Sequence, residues 1–248
     1  QAATDATLWT NWANANTAAV AYIEGRTSIW NNAVMTGIEI RTNGVRKAAY
    51  GTNYIAAVAA AQSGDTIVVG PGSYQINSQP AQIPDGVSIV GAGPESSILN
   101  IDTVGQSSHG ALRLGNNVTI EGVAMLNDIG MGIVAASGFV TNVVLRNVYL
   151  RGNNCCIYLP NVPIVGTNVI EAINCTFEGG LYVTEITGYD RGEYIFRDCV
   201  FLSRHVAGAS GTAQGIYNDA TNTWTVIGGS IDVDGGTAEN VGVTMGKG

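Results

Sequence analysis

Two short segments bracket one apolar run, YDRGE (189–193) and SRH (203–205), and together they hold Asp190, Arg191, Glu193, Arg204 and His205. Two carboxylates with a histidine or an arginine suit general acid–base work on a glycosidic bond or a uronate, one group delivering a proton while another removes one. Without a substrate the same residues are loop charges that solvate a turn. A second acidic pair, Asp232 and Asp234 in DVDGG (232–236), alternates and so shares one strand face. A calcium ion takes about six or more oxygen ligands, which two carboxylates do not supply. No cofactor is therefore expected, with calcium at Asp232 and Asp234 as the one metal alternative. His109 precedes Gly110 in SSHGAL (107–112), but no Asp-Asp pair accompanies it. Cys155 and Cys156 are adjacent while Cys175 and Cys199 stand alone. That spacing does not fit zinc, and the four read as small apolar side chains.

These residues sit on a repeat. The segments VSIVGAG (87–93), VTIEGVAML (118–126), VVLRNVYL (143–150), VIEAINCTF (169–177), YIFRDCVF (194–201) and WTVIGGSI (224–231) align on one interrupting residue. That residue is Gly91, Gly122, Asn147, Asn174, Asp198 and Gly228 in turn, at separations of 24 to 31. Gly, Asn and Asp are the types that enter left-handed backbone at small cost, so the column marks a bend. Flanking columns are apolar. Two before the bend stand Ile89, Ile120, Leu145, Ala172, Phe196 and Val226, and three after it stand Pro94, Met125, Leu150, Phe177, Phe201 and Ile231. A further strand precedes each unit: GALRL (110–114), GIVAA (132–136), CIYLP (156–160), GLYVT (180–184), GIYND (215–219) and VGVTM (241–245). Strand, loop, strand, one-residue bend and strand, with no helical period inside, predicts a parallel β-solenoid of about six or seven coils stacked ~4.8 Å apart.

The stretch IAAVAAAQSGDTIVVGPGSY (55–74) resembles the opening of pectate-lyase-like right-handed parallel β-helix proteins, including polysaccharide-active enzymes and phage tailspikes. The resemblance covers about residues 52–248. It implies an all-β, single-stranded right-handed parallel β-helix with a short N-terminal capping helix. The family's catalytic signatures, a calcium-binding acidic cluster with a basic residue or clustered aspartates with Gly-His-Gly, do not appear intact. Independently of the resemblance, Thr52 or Asn53 can cap a helix running to about Gln62, with Ile55, Val58 and Ala59 as its apolar stripe. Residues 1–51 do not follow the repeat and hold Trp9, Trp12 and Trp30. They read as an N-terminal cap or attachment segment, with short helical or irregular structure at 5–24 and a strand near 37–42. Residues 52–248 read as the β-helix.

The outward column of the preceding strand reads Arg113, Val134, Tyr158, Tyr182, Tyr217 and Thr244. Tyr158, Tyr182 and Tyr217 would form a stripe on which sugar rings stack, an interface with another subunit, or an aromatic ladder under its own loops. Arg151 and Glu178 occupy one outward column and read as a surface ion pair.

Only 12% of residues are charged, lysine is confined to Lys47 and Lys247, and the net charge is −8. Nothing would neutralise phosphates, which argues against nucleic acid. No apolar run reaches the ~20 residues of a membrane span. The expected function is a virion- or surface-associated β-helix of tailspike or tail-fibre type, structural and polysaccharide-binding, partnered by itself as a homo-oligomer, with a trimer expected, or by other virion or surface proteins, and located on a virion surface or outside the cell. The alternatives are a secreted polysaccharide lyase or glycoside hydrolase, and a decoration or adhesin module with no ligand.

Overall fold

The computed structural model describes residues 37–78, 82–101, 112–127, 133–135, 140–152, 156–159, 168–179, 182–187, 192–204, 213–219, 223–234 and 240–245. The aromatic segment around Trp9, Trp12 and Trp30 lies outside these, as do His109, Cys155, Asp190, Arg191 and His205.

The chain winds through three sheets in turn. The first holds nine strands: β1 (Ile38–Thr42), β2 (Val45–Gly51), β3 (Asp65–Val69), β5 (Ser88–Gly91), β8 (Thr119–Glu121), β11 (Val143–Arg146), β14 (Asn168–Ile173), β17 (Gly192–Arg197) and β20 (Thr223–Ile227). The second holds seven: β4 (Gly72–Ile76), β6 (Ser97–Ile101), β9 (Ala124–Asn127), β12 (Tyr149–Gly152), β15 (Thr176–Gly179), β18 (Val200–Arg204) and β21 (Ser230–Asp234). The third holds six: β7 (Leu112–Leu114), β10 (Ile133–Ala135), β13 (Ile157–Leu159), β16 (Tyr182–Thr187), β19 (Ala213–Asp219) and β22 (Asn240–Met245). Every coil strand pairs in parallel with its counterparts in the coils before and after. The architecture is the parallel β-solenoid that the repeat predicts.

The bend column stacks. Gly122, Asn147, Asn174, Asp198 and Gly228 have φ of 65°, 48°, 52°, 52° and 68°. The N–H of each of the first four donates to the carbonyl just before the next bend, at 2.8–3.1 Å. Gly91 differs. It ends β5 in ordinary geometry, and the positive φ of that turn falls on Gly93. Glycine is needed at 91 for space, since an added Cβ would lie 2.2 Å from the Gly122 carbonyl oxygen. The longer first turn also displaces the inner column, where Leu99 rather than Pro94 stands beside Met125.

A second corner, unforeseen from the sequence, opens each first-sheet strand in the early coils. Gly64, Gly86, Asn117 and Asn142 all have positive φ, from 86° down to 54°. Here too the N–H groups of Gly64, Gly86 and Asn117 reach the following coil, and the Asn142 side-chain amide donates to Asn117 Oδ1 at 2.9 Å. The same Gly-or-Asn chemistry therefore turns the chain at both corners.

Inside the triangle, like residues pile up. Ile67, Ile89, Ile120, Leu145, Ala172 and Phe196 are buried in one column, and Leu99, Met125, Leu150, Phe177 and Phe201 in another. Later coils are lined by aromatic rings: Phe177 stacks on Phe201 at 5.4 Å between centroids, and Phe196 on Trp224 at 5.2 Å. Cys156, Cys175 and Cys199 are buried free thiols.

Helix α1 (Tyr54–Ala60) starts on Asn53, whose Oδ1 accepts from the Ala56 N–H at 3.0 Å. Its buried stripe is Tyr54, Ala57, Val58 and then Ala61, while the expected Ala59 is exposed. Tyr54 opens that stripe, its spacing to Ala57, Val58 and Ala61 being the i, i+3, i+4, i+7 pattern. The strand expected near 37–42 is β1, and with β2 it forms an antiparallel hairpin on β3. These strands, read as part of the leading segment, belong with the coils, and the compact unit begins at Thr36.

Candidate functional site

On the outer face of the second sheet, alternation points Tyr149, Arg151, Thr176 and Glu178 away from the core, with Leu150 and Phe177 buried between them. Register sets Tyr149 beside Ala124 and Thr176, and Arg151 beside Leu126 and Glu178. The expected Arg151–Glu178 neighbourhood is thus present, but the group that completes it is Tyr149. Its hydroxyl donates to Glu178 Oε2 in a short hydrogen bond. Burial, then the hydrogen bond and charge of Glu178, push the phenol up to about 12, with the Arg151 guanidinium opposing. Tyr149 is therefore a neutral hydrogen-bonding group at physiological pH, unable to act as a base.

Beside it runs a groove of about 510 Å³. Ile98, Ala124, Leu126 and Val148 give it an apolar lining, Tyr149 an aromatic edge, and the bend residues Asn147 and Asn174 a row of side-chain amides. Glu95 and Pro94 line it from the long first turn. Apolar surface with a polar, amide-bearing rim is the combination that a sugar ring needs, since its C–H faces are apolar and its edges carry hydroxyls. Sequence reasoning missed Tyr149 because on these strands the outward column was followed only at Arg151 and Glu178. The same exercise on VYLR would have found it, two residues before Arg151.

The tyrosine stripe is broken. Tyr158 pairs with Val134 on one side and Glu185 on the other, and Glu185 pairs with Tyr217. Tyr182 pairs with Gln214 instead. Strand β16 is displaced by three residues from the alignment, so that Glu185 rather than Tyr182 stands beside Tyr158 and Tyr217. Tyr158 and Tyr217 share a register position with Glu185 between them.

The acid–base candidates do not converge among the described residues. Glu193 is exposed on the first sheet, beside Val169 and Thr223. Arg204 ends a strand of the second sheet, beside Asp234. Asp232 pairs with Leu202, and no group of three or more His, Cys, Asp or Glu among the described residues is placed to hold a metal. Cys156 and Cys175 are poor nucleophiles, since burial pushes Cys156 up and a hydrogen bond with Cys199 together with burial does the same to Cys175; that hydrogen bond in turn draws Cys199 down. No helix among the described residues is long and apolar enough to cross a membrane.

No protein-family model matches the chain, and no curated protein does. Among solved structures it is similar to the pectin methylesterase PemA from Erwinia chrysanthemi, at 11% identity and a TM-score of 0.47. That likeness covers 70% of this chain and 62% of the other.

Proposed function

We propose that this protein is a surface- or virion-associated β-helix that binds polysaccharide without cleaving it. The observation that carries the reading is the groove beside Tyr149, where an aromatic edge and an amide row border an apolar lining. Binding is favoured over catalysis because the phenol stays protonated and hydrogen-bonded to Glu178. A ring laid against Tyr149 would exchange hydrogen bonds with Asn147, Asn174 and Glu178. The surrounding carboxylates and the net charge of −8 favour a neutral glycan over a polyuronate.

The test is retention on immobilised neutral and acidic glycans, with the soluble fractions assayed for new reducing ends and for unsaturated uronates. Wild type is expected to be retained on at least one neutral glycan and to release no product. Tyr149→Ala should abolish retention while shifting the thermal midpoint little, since the side chain is only half-buried. Retention unchanged in Tyr149→Ala would move binding away from this groove. Product from any glycan would make the protein a lyase or hydrolase instead.

A further inference from the structure

One inward column changes chemistry part-way along the stack. The residue just after the bend is Val123, Val148, Cys175 and Cys199 in consecutive coils, and each is at most 2% exposed. The Thr176 N–H donates to the Val148 carbonyl, and the Val200 N–H to the Cys175 carbonyl, both at 2.9 Å. The same register therefore sets Cys199 directly on Cys175, at the ~4.8 Å spacing of neighbouring coils. That spacing lies within the ~4.4–6.8 Å that separates the Cα atoms of a disulfide. The side chains also turn the same way. Each Sγ lies 3.3 Å from the carbonyl oxygen two residues earlier, Ile173 for Cys175 and Arg197 for Cys199. Cys199 leans back as well, with its Sγ 3.5 Å from the Ala172 carbonyl oxygen of the preceding coil. The two thiols hydrogen-bond to each other. Valine fills the column in the two coils before, so apolar volume alone does not account for a pair of thiols.

We propose that Cys175 and Cys199 form a disulfide that staples two consecutive coils when the chain folds in the presence of a small-molecule disulfide. Cys156 is the partner of neither. Its thiol donates to the Leu150 and Glu178 carbonyls, and Glu178 lies three residues beyond Cys175, about 10 Å along an extended strand. Neither sulfur of the pair is open to solvent once the coils have stacked, so the exchange starts before they close. A thiolate of one cysteine attacks glutathione disulfide and breaks its S–S bond. One glutathione thiolate departs and a mixed disulfide remains on the protein. As the coils stack, the second cysteine gives up its proton and attacks the protein sulfur of that mixed disulfide, expelling the second glutathione. Two electrons pass from the protein thiols to the glutathione disulfide, which ends as two thiols. The new bond joins residues 24 apart and removes the freedom of that loop from the unfolded chain.

The full chain, refolded with oxidised and reduced glutathione, alkylated, digested and mapped by mass spectrometry, tests this without variants. The map should show the Cys175 and Cys199 peptides linked and Cys156 alkylated. The thermal midpoint of the oxidised chain should exceed that of chain refolded in reductant by about 5–10 °C. Cys175→Ala and Cys199→Ala should each lose that difference, and Cys156→Ala should keep it. Alkylation of both Cys175 and Cys199 after oxidative refolding, a link from either to another cysteine, or a midpoint that is the same in both preparations would each overturn the proposal.

Discussion

At its first coil the solenoid carries a hairpin; at its last, the described residues include nothing that covers the inner columns. Strands β1 and β2 reverse direction twice, so the outermost strand runs parallel to the coils yet is unfit to extend them. Register slips beside Ile38 and Ile40, and exposed Arg46 and Lys47, guard that edge. Beneath it Ile38 and Ile40 are 1% exposed, as deeply buried as any core residue. At the other end Val226 and Ile231 continue the same kind of column into solvent. The difference teaches that column identity alone does not bury a side chain. A neighbour on both sides does, and the described residues supply one beyond β3 but none beyond β20 and β21.

The contrast can be broken hardest in the middle. Phe177→Ala removes a ring packed against both Phe196 and Phe201. It should lower unfolding free energy by ~3–5 kcal/mol, read by denaturant titration. The equivalent truncation in the last described coil, Val226→Ala, should cost under about 1 kcal/mol, because that side chain is 44% exposed. Equal losses would mean that the last coil is as enclosed as the centre.

A smaller effect is expected at the bends. Asn174→Ala places a Cβ-bearing residue without a compensating amide at φ 52° and should cost about 1–2 kcal/mol. Asn174→Gly should be close to neutral, since glycine meets the torsion without strain. If both substitutions cost alike, the side-chain amide rather than the torsion stabilises that corner.

Near the guarded end, the Tyr54 hydroxyl is buried without a hydrogen-bond partner. Removing it in Tyr54→Phe should raise stability by about 1 kcal/mol, because an unmet polar group is lost and the ring is kept. The smallest effect concerns pH. Burial raises the pKa of Asp65, but hydrogen bonds from Thr42, Lys47 and the Gln62 N–H outweigh it and leave the carboxyl below its ordinary value. A lowered folded-state value means that this group's contribution is whole above the ordinary carboxylate range and is lost as pH falls through the folded value. Lys47→Ala should therefore narrow the acid-side loss of thermal midpoint and leave the alkaline side unchanged.

Much of this architecture was legible in the chain. Five of the six bend residues have the left-handed torsion read from their types, because only Gly, Asn and Asp tolerate it cheaply. The sixth, Gly91, was chosen for backbone contact with Gly122, and a residue type cannot distinguish those two reasons. The second corner was written in the same alphabet, in SGD, PDG, GNN and VTN, but its irregular spacing hid it.

The candidate site was less legible. Arg151 and Glu178 were placed correctly by alternation, while Tyr149 needed a diagonal contact between coils that no single strand contains. The tyrosine stripe failed for a related reason: a strand's period of two gives the phase within a coil, but register between coils depends on the lengths of the loops that join them. The chain by itself thus determined the winding, the corners and the interior, all of which follow from backbone torsion and apolar alternation. Tertiary structure alone decided which outward side chains share a groove and which inward ones are left uncovered. Those outcomes depend on how many residues each turn spends before the next coil begins.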